Sequence, residues 1–197
     1  MFTGFGPEAF WWFDGLERDN SREYFQRTRD LFEREVRDQL EDLLREVGGE
    51  VKVFRQHRDL RFSPDKRPYK DRTYGVAGRL YVQVSARGLY AGTGMYQPSR
   101  EELGRFRDAI VEDDSLEQIL KRARLDVEGA SLKTAPRGYP RDHPRIALLR
   151  RKQLIVGRSL PAGGGINRDP ALALLRGVKQ SSAPLLDWLD ARVYGSG

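Results

Sequence analysis

Residues 21–47, SREYFQRTRDLFEREVRDQLEDLLREV, decide the fold class. Tyr24, Phe25, Leu31, Phe32, Val36, Leu40, Leu43, Leu44 and Val47 recur near a spacing of 3.6, which predicts one long amphipathic helix lying on a core. Asn20 followed by Glu23 reads as its capping box. Gly48 and Gly49 stop it, because glycine takes the left-handed backbone of a helix end without a steric cost. The charged face of this helix is expected to be acidic and solubilising.

The next stretch has the other period. Residues 51–62 alternate as a strand, with Val51, Val53, Arg55, His57, Asp59 and Arg61 on one face and Lys52, Phe54, Gln56, Arg58, Leu60 and Phe62 on the other. Residues 63–73, with Pro64 and Pro68, read as a loop. Residues 78–85 and 89–95 form a hairpin, and Gly92 and Gly94 in its second strand call for a closely approaching backbone or ligand.

Outward from these elements, residues 7–16 make a short aromatic helix opened by Pro7. Ser99 with Glu102 and Asp114 with Glu117 are capping boxes for helices over 100–110 and 115–124. Residues 131–139 read as extended or loop. Asp142 is the expected cap of a short helix over 143–150, and 153–160 is an apolar strand. A flexible loop is expected over 161–168, before a last helix opened by Asp169 and Pro170 and bent near Pro184. Helices and strands without βαβ alternation predict a single α+β domain over 1–197. Its mixed or antiparallel sheet would use 51–62, 79–95 and 153–160, with helices packed on it and the long helix across it.

Composition narrows the function classes. The 197 residues are 39% hydrophobic and 32% charged, enough for a core under an ionic surface. No apolar run approaches the ~20 residues of a membrane span, and residues 1–19 lack the basic head and cleavage site of a signal peptide, so a cytoplasmic protein without membrane contact is expected. The absence of cysteine excludes disulfides and thiol chemistry, and two histidines, His57 and His143, cannot build a multi-histidine metal site. Gly92 with Gly94, and Gly163 to Gly165, lack the context of a phosphate loop or dinucleotide fingerprint. Neither a metal nor a cofactor is expected, and no residue is assigned as catalytic.

Charge is segmented. Residues 1–51 carry −6, 52–72 carry +5, 73–128 carry −1 and 129–197 carry +8, within a total of +6. Two basic segments favour an anionic partner. The densest chemistry is 55–70, RQHRDLRFSPDKRPYK. Arginine binds carboxylate or phosphate through two parallel hydrogen bonds, so several on one strand, followed by a Lys- and Tyr-bearing loop, are suited to converge on an oxyanion.

These residues resemble an uncharacterised domain family, found mainly in bacteria and also in fungi, whose pattern is close to R-x-x-R-D-x-R-F followed by D-K-x-x-Y. Arg55, Arg58, Asp59, Arg61, Phe62, Asp65, Lys66 and Tyr69 match it. Residues 20–25, 92–98, 132–139 and 142–144, with Lys152, are similar too, so the resemblance spans nearly the whole chain. Family members more usually carry Trp at the positions of Tyr24 and Tyr96 and His at Gln97. No activity is implied by the resemblance.

The first expectation is a small phosphate- or carboxylate-bearing ligand held by Arg55, Arg58 and Arg61. Lys66, Tyr69 and Lys70 would close over it while Asp59 and Asp65 orient the cations. Lys133, Arg137, His143 and Lys152 would join from the second basic segment. Regular alternation places Arg58 opposite Arg55 and Arg61, so a bulge must intervene or one of them is structural. Two alternatives stand beside it. The motif is an internal salt-bridge network of a structural or adaptor protein, or the basic residues 133–152 bind nucleic acid, with Tyr69, Tyr74 and Tyr139 stacking on bases. Unpaired cations converging on a concave pocket would favour a ligand. Closed pairs, or Glu and Asp of the acidic helix covering the motif, would remove it.

Overall fold

The structure, a computed structural model, describes residues 1–61 and 64–195. The chain divides into two compact units, Met1–Ala91 with Ser159–Gly177, and Gly92–Arg158 with Val178–Gly197. In chain order the first unit holds β1 (Gly4–Phe5), α1 (Pro7–Arg18), α2 (Arg22–Arg27), α3 (Arg29–Phe32), α4 (Asp38–Val47), β2 (Val51–Val53), β3 (Arg72–Ala77) and β4 (Leu80–Ser85). After β5 (Gly88–Met95), the second unit holds α5 (Arg100–Glu112), α6 (Ser115–Ala123), β6 (Asp126–Glu128), α7 (Ile146–Leu149) and most of β7 (Leu154–Pro161). The first unit is completed by β8 (Ile166–Asn167) and the start of α8 (Arg168–Leu189). The fold is α+β, as expected. One sheet has the order β2-β3-β4-β5-β7-β6 and a second pairs β1 with β8, with β2–β3, β3–β4 and β6–β7 antiparallel.

The expected single helix over 21–47 is three helices and a π-helical turn. Thr28 leaves the helical basin at φ −108, ψ 13. Its hydroxyl donates to the Tyr24 carbonyl at 2.9 Å and accepts Trp12 Nε1–H at 2.9 Å, a local side-chain bond that competes with the helical ladder. Glu33–Arg37 is π-helical and leads into α4. The cap is Ser21, whose Oγ accepts from Tyr24 N at 3.0 Å, while Asn20 is used elsewhere. The apolar stripe survives these breaks: Phe25, Phe32, Val36, Leu40, Leu43 and Leu44 are buried, and α4 packs on β2, β3 and β4. Gly75 of β3 makes room for it, because a Cβ there would lie 2.6 Å from Leu44 Cδ1.

The expected strand over 51–62 ends at Val53, and Phe62 lies outside the described residues. Beyond Val53 the chain pairs irregularly with 68–74 and turns its polar side chains to local partners, so the alternation predicted there is broken. Strand β3 begins at Arg72, inside the last two residues of the expected loop, and runs through 74–77, where no strand was expected. Its alternation of Thr73, Gly75 and Ala77 inward uses small side chains that give little apolar signal. The hairpin β4–β5 stands as expected.

In the second unit α5 has the expected capping box of Ser99 and Glu102. At α6, Asp113 rather than Asp114 accepts from Ser115 N, at 2.9 Å, because Asp114 receives the Gln118 side-chain amide. The helix expected over 143–150 shortens to α7, and its first turn is held by His143 Nδ1 accepting from Arg145 N at 3.0 Å rather than by Asp142. Gly94, at φ +137, answers the question its position raised: a Cβ would sit 2.1 Å from the Leu154 carbonyl oxygen, so only glycine lets β5 and β7 approach. Residues 161–168 contain the end of β7, a turn closed by Gly165 N to Ala162 O at 2.7 Å, and β8. The last helix begins at Arg168 and carries Pro184 inside it. Among the described residues, no helix is long and apolar enough to cross a membrane.

Candidate functional site

The charged motif is organised by a polar brace in the first unit. Phe54 N donates to Tyr74 O at 2.9 Å, Lys70 N to Gln56 O at 3.0 Å and Arg58 N to Pro68 O at 2.8 Å, so 54–58 runs beside 68–74 without forming a regular strand. Gln56 is the buried centre of this brace. Its Oε1 accepts from Thr73 Oγ1 at 2.8 Å and its Nε2 donates to Lys70 O at 2.6 Å, which satisfies both ends of a buried amide. Asn20, just before α2, accepts from Tyr69 N at 2.9 Å and donates to Tyr69 O at 3.3 Å, tying the brace to the helices. The buried Tyr69 ring stacks on Phe25 at 4.2 Å, and the His57 ring packs against both.

Most motif charges are satisfied locally. Arg61 Nε and Nη2 donate to the two oxygens of Asp59, at 3.1 and 2.9 Å. Arg67 does the same to Asp65, with Nη2 at 2.7 Å. Arg58 Nη2 reaches Asp65 at 3.3 Å and Tyr69 O at 3.3 Å, leaving its buried Nε without a hydrogen-bond partner. Lys66 donates to Leu60 O at 3.1 Å. Lys70 donates to Arg55 O at 2.6 Å and lies over the Tyr74 ring, which itself stacks on Phe54. The hydrogen bonds of Arg61 hold the Asp59 carboxyl down to about 2, and those of Arg67, helped by the charge of Arg58, hold Asp65 lower still. Both stay ionised near neutrality, so neither is placed as a general acid there.

Arg55 is different. With Arg22, Arg29 and Arg37 it lines a cavity of about 460 Å³ between the helices and residues 53–57. Phe25, His57 and Tyr69 form its ring-bearing part. Among the described residues, Arg22, Arg29 and Arg55 are exposed and their guanidinium groups make no ion pair or hydrogen bond. Arg37 is loosely shared by Glu33, Glu41 and Asp38 at 3.7, 3.9 and 4.0 Å. Glu33 is the one carboxylate in the lining. At this cavity the N-terminal helices present three arginines and one glutamate, while the charge of Glu17 in α1 acts on Arg67. The sequence carried this signal as the stripe Arg22, Gln26, Arg29, Glu33 and Arg37, at helical spacing, and the net −6 of residues 1–51 concealed it.

The remaining expected residues belong to the second unit. Lys133, Arg137 and Lys152 are exposed, and their side chains make no hydrogen bond or ion pair among the described residues. Their loop is clamped by Leu132 N to Arg150 O and Arg150 Nε to Leu132 O, both at 2.7 Å. His143 is half-buried and spends Nδ1 on the backbone of Arg145. Tyr139 donates to Asp108 at 2.7 Å, and burial followed by that bond pushes its hydroxyl up to about 12. Among the described residues, no group of three or more His, Asp or Glu side chains is placed to hold a metal ion.

No curated protein and no solved structure matches the chain. A family model described as "Conserved hypothetical protein (DUF2461)" matches residues 8–188. That match covers nearly the whole chain, including the arginine stripe, the brace and the charged motif, and the chain therefore belongs to this family of conserved hypothetical proteins.

Proposed function

We propose that the chain binds a small anionic ligand, bearing phosphate or carboxylate, in the cavity lined by Arg22, Arg29 and Arg55. The observation that carries this reading is the contrast inside one segment. Arg61 and Arg67 are each closed on an aspartate two residues away, whereas among the described residues the guanidinium groups of Arg55 and two helix arginines share a cavity without an ion pair or hydrogen bond, Arg55 feeling Asp59 only through its charge. Guanidinium groups gathered in a concavity repel one another, and an anion offering two acceptor oxygens relieves that repulsion with charge-assisted hydrogen bonds. The ring-bearing part beside them suits a ligand whose anionic group is attached to a flat or apolar body. Arg58, Asp59, Arg61, Asp65, Lys66 and Lys70 then shape the platform, and Tyr69 supplies its floor.

Thermal shift with inorganic phosphate, phenyl phosphate, acetate and benzoate tests this. A ligand at a hundred times its Kd adds about 2.7 kcal/mol to stability, several degrees in Tm for a chain of this size. The expected order is phenyl phosphate above inorganic phosphate and benzoate above acetate. Arg29→Gln and Arg55→Gln should each abolish most of the shift while leaving the ligand-free Tm within a degree or two of wild type, because neither guanidinium is paired. Equal shifts in wild type and in both variants would reject the site.

A further inference from the structure

The second unit has a larger basic cavity, about 880 Å³ and open to solvent, at the end of α6. Lys121, Arg122, Arg124 and Arg158 contribute four cations to its lining, with Gln118 and Ser181, and no carboxylate and no aromatic ring belongs to it. Asp114, one turn back along α6, is occupied by the Gln118 amide, with both contacts at 3.0 Å. Among the described residues, the side chains of Lys121, Arg122 and Arg124 make no ion pair or hydrogen bond.

Cations in the last turn of a helix complement its dipole, which accounts for Lys121 and Arg122 without a ligand. It does not account for Arg124. That residue follows α6 in the left-handed region at φ 51, the one non-glycine residue with positive φ among the described residues, at a position where glycine is the unstrained choice. Arg158 Nη2 donates to its carbonyl at 2.7 Å, fixing the strained residue from β7. A bulky cation is thus held, at a conformational cost, on the wall of a basic cavity.

We propose that this cavity binds the phosphodiester backbone of a nucleic acid. Four cations from α6, the residue after it and β7 suit a string of phosphates better than one. With no ring in the lining there is nothing on which a base can stack, so recognition is of phosphate and independent of sequence. The site is separate from the proposed small-anion cavity and uses none of its residues.

The test is fluorescence anisotropy of labelled oligothymidylate and oligoadenylate against the full chain over a range of salt. Both should bind equally, with log K falling against log salt at a slope of about −3 if all four cations meet phosphates of a single strand. The double variant Lys121→Gln, Arg122→Gln should reduce that slope by about 1.4. Arg124→Gly should weaken binding severalfold with Tm unchanged or raised, since glycine removes the strain and keeps the carbonyl that Arg158 holds. Arg29→Gln should bind like wild type, which separates this outcome from the fate of the first cavity. Inorganic polyphosphate should displace the oligonucleotide. The proposal is overturned by absence of binding at about 25 mM salt, by wild-type binding in the Lys121→Gln, Arg122→Gln and Arg124→Gly variants, by discrimination between the two oligonucleotides or by failure of polyphosphate to compete.

Discussion

Arg55 and Arg61 have the same chemistry and different fates because of one neighbour each. Asp59 sits two residues before Arg61, and the turn brings its carboxylate round to take both the backbone N–H, at 3.2 Å, and the guanidinium. Arg55 has no acid at that spacing, where Val53 stands. The Asp59 carboxyl is lowered in the folded chain to about 2 from an unfolded value near ~3.9. A depressed folded value stabilises above the unfolded one, so this contribution is complete above about pH 4 and is lost as pH falls from there through about 2. Carboxyl-resolved NMR titration should place the Asp59 midpoint near that low value. A midpoint at the unperturbed value would mean that the pair with Arg61 is open in solution. Asn20 is a second residue-scale test. Asn20→Ala removes the acceptor of Tyr69 N–H and one donor to Tyr69 O, and urea denaturation should register a loss of about 1–3 kcal/mol. A loss well under 0.5 kcal/mol, small beside the usual range for an unsatisfied buried group, would show that water replaces the amide without cost.

At the scale of elements, two devices override intrinsic propensity. Thr28 breaks a helix whose apolar spacing continues through it, because its hydroxyl joins the Tyr24 carbonyl to the Trp12 indole. Glycine in β5 does the opposite and enables an element. Gly94→Ala would drive a methyl to 2.1 Å from the Leu154 carbonyl oxygen at φ +137, and should cost about 2–4 kcal/mol in chemical denaturation. Gly104, inside α5 with nothing within 4 Å of an added Cβ, is the control, and Gly104→Ala should raise stability by about 0.5–1 kcal/mol. Equal effects of the two substitutions would contradict the close approach of β5 to β7.

For the whole molecule, connectivity matters more than the existence of two compact units. Each unit is made of two chain segments, and β5, β7 and α8 each run through a boundary. No single cut therefore releases an intact unit. Calorimetry of the full chain should show one transition with matching calorimetric and van 't Hoff enthalpies, and residues 1–91 alone should remain unfolded by circular dichroism. Two resolved transitions would show independent folding.

The sequence by itself determined the α+β class, the helical stripe from Phe25 to Leu44, the hairpin and the capping box at Ser99, because each depends on neighbours within a few positions or on the period of burial, whereas the demand for glycine at 94 comes from Leu154, far away in the chain. It also located the charged motif and its family resemblance. The tertiary structure decided which charges are free. Arg58, Arg61 and Arg67 found carboxylates by turn geometry, whereas Arg22, Arg29 and Arg55, more than 25 residues apart at their extremes, come to one cavity through the brace of Gln56, Asn20 and Tyr69. Pairing of charges is a property of distance in space. Net charge along a segment, −6 over residues 1–51, averaged away the arginine stripe that its helices turn toward Arg55.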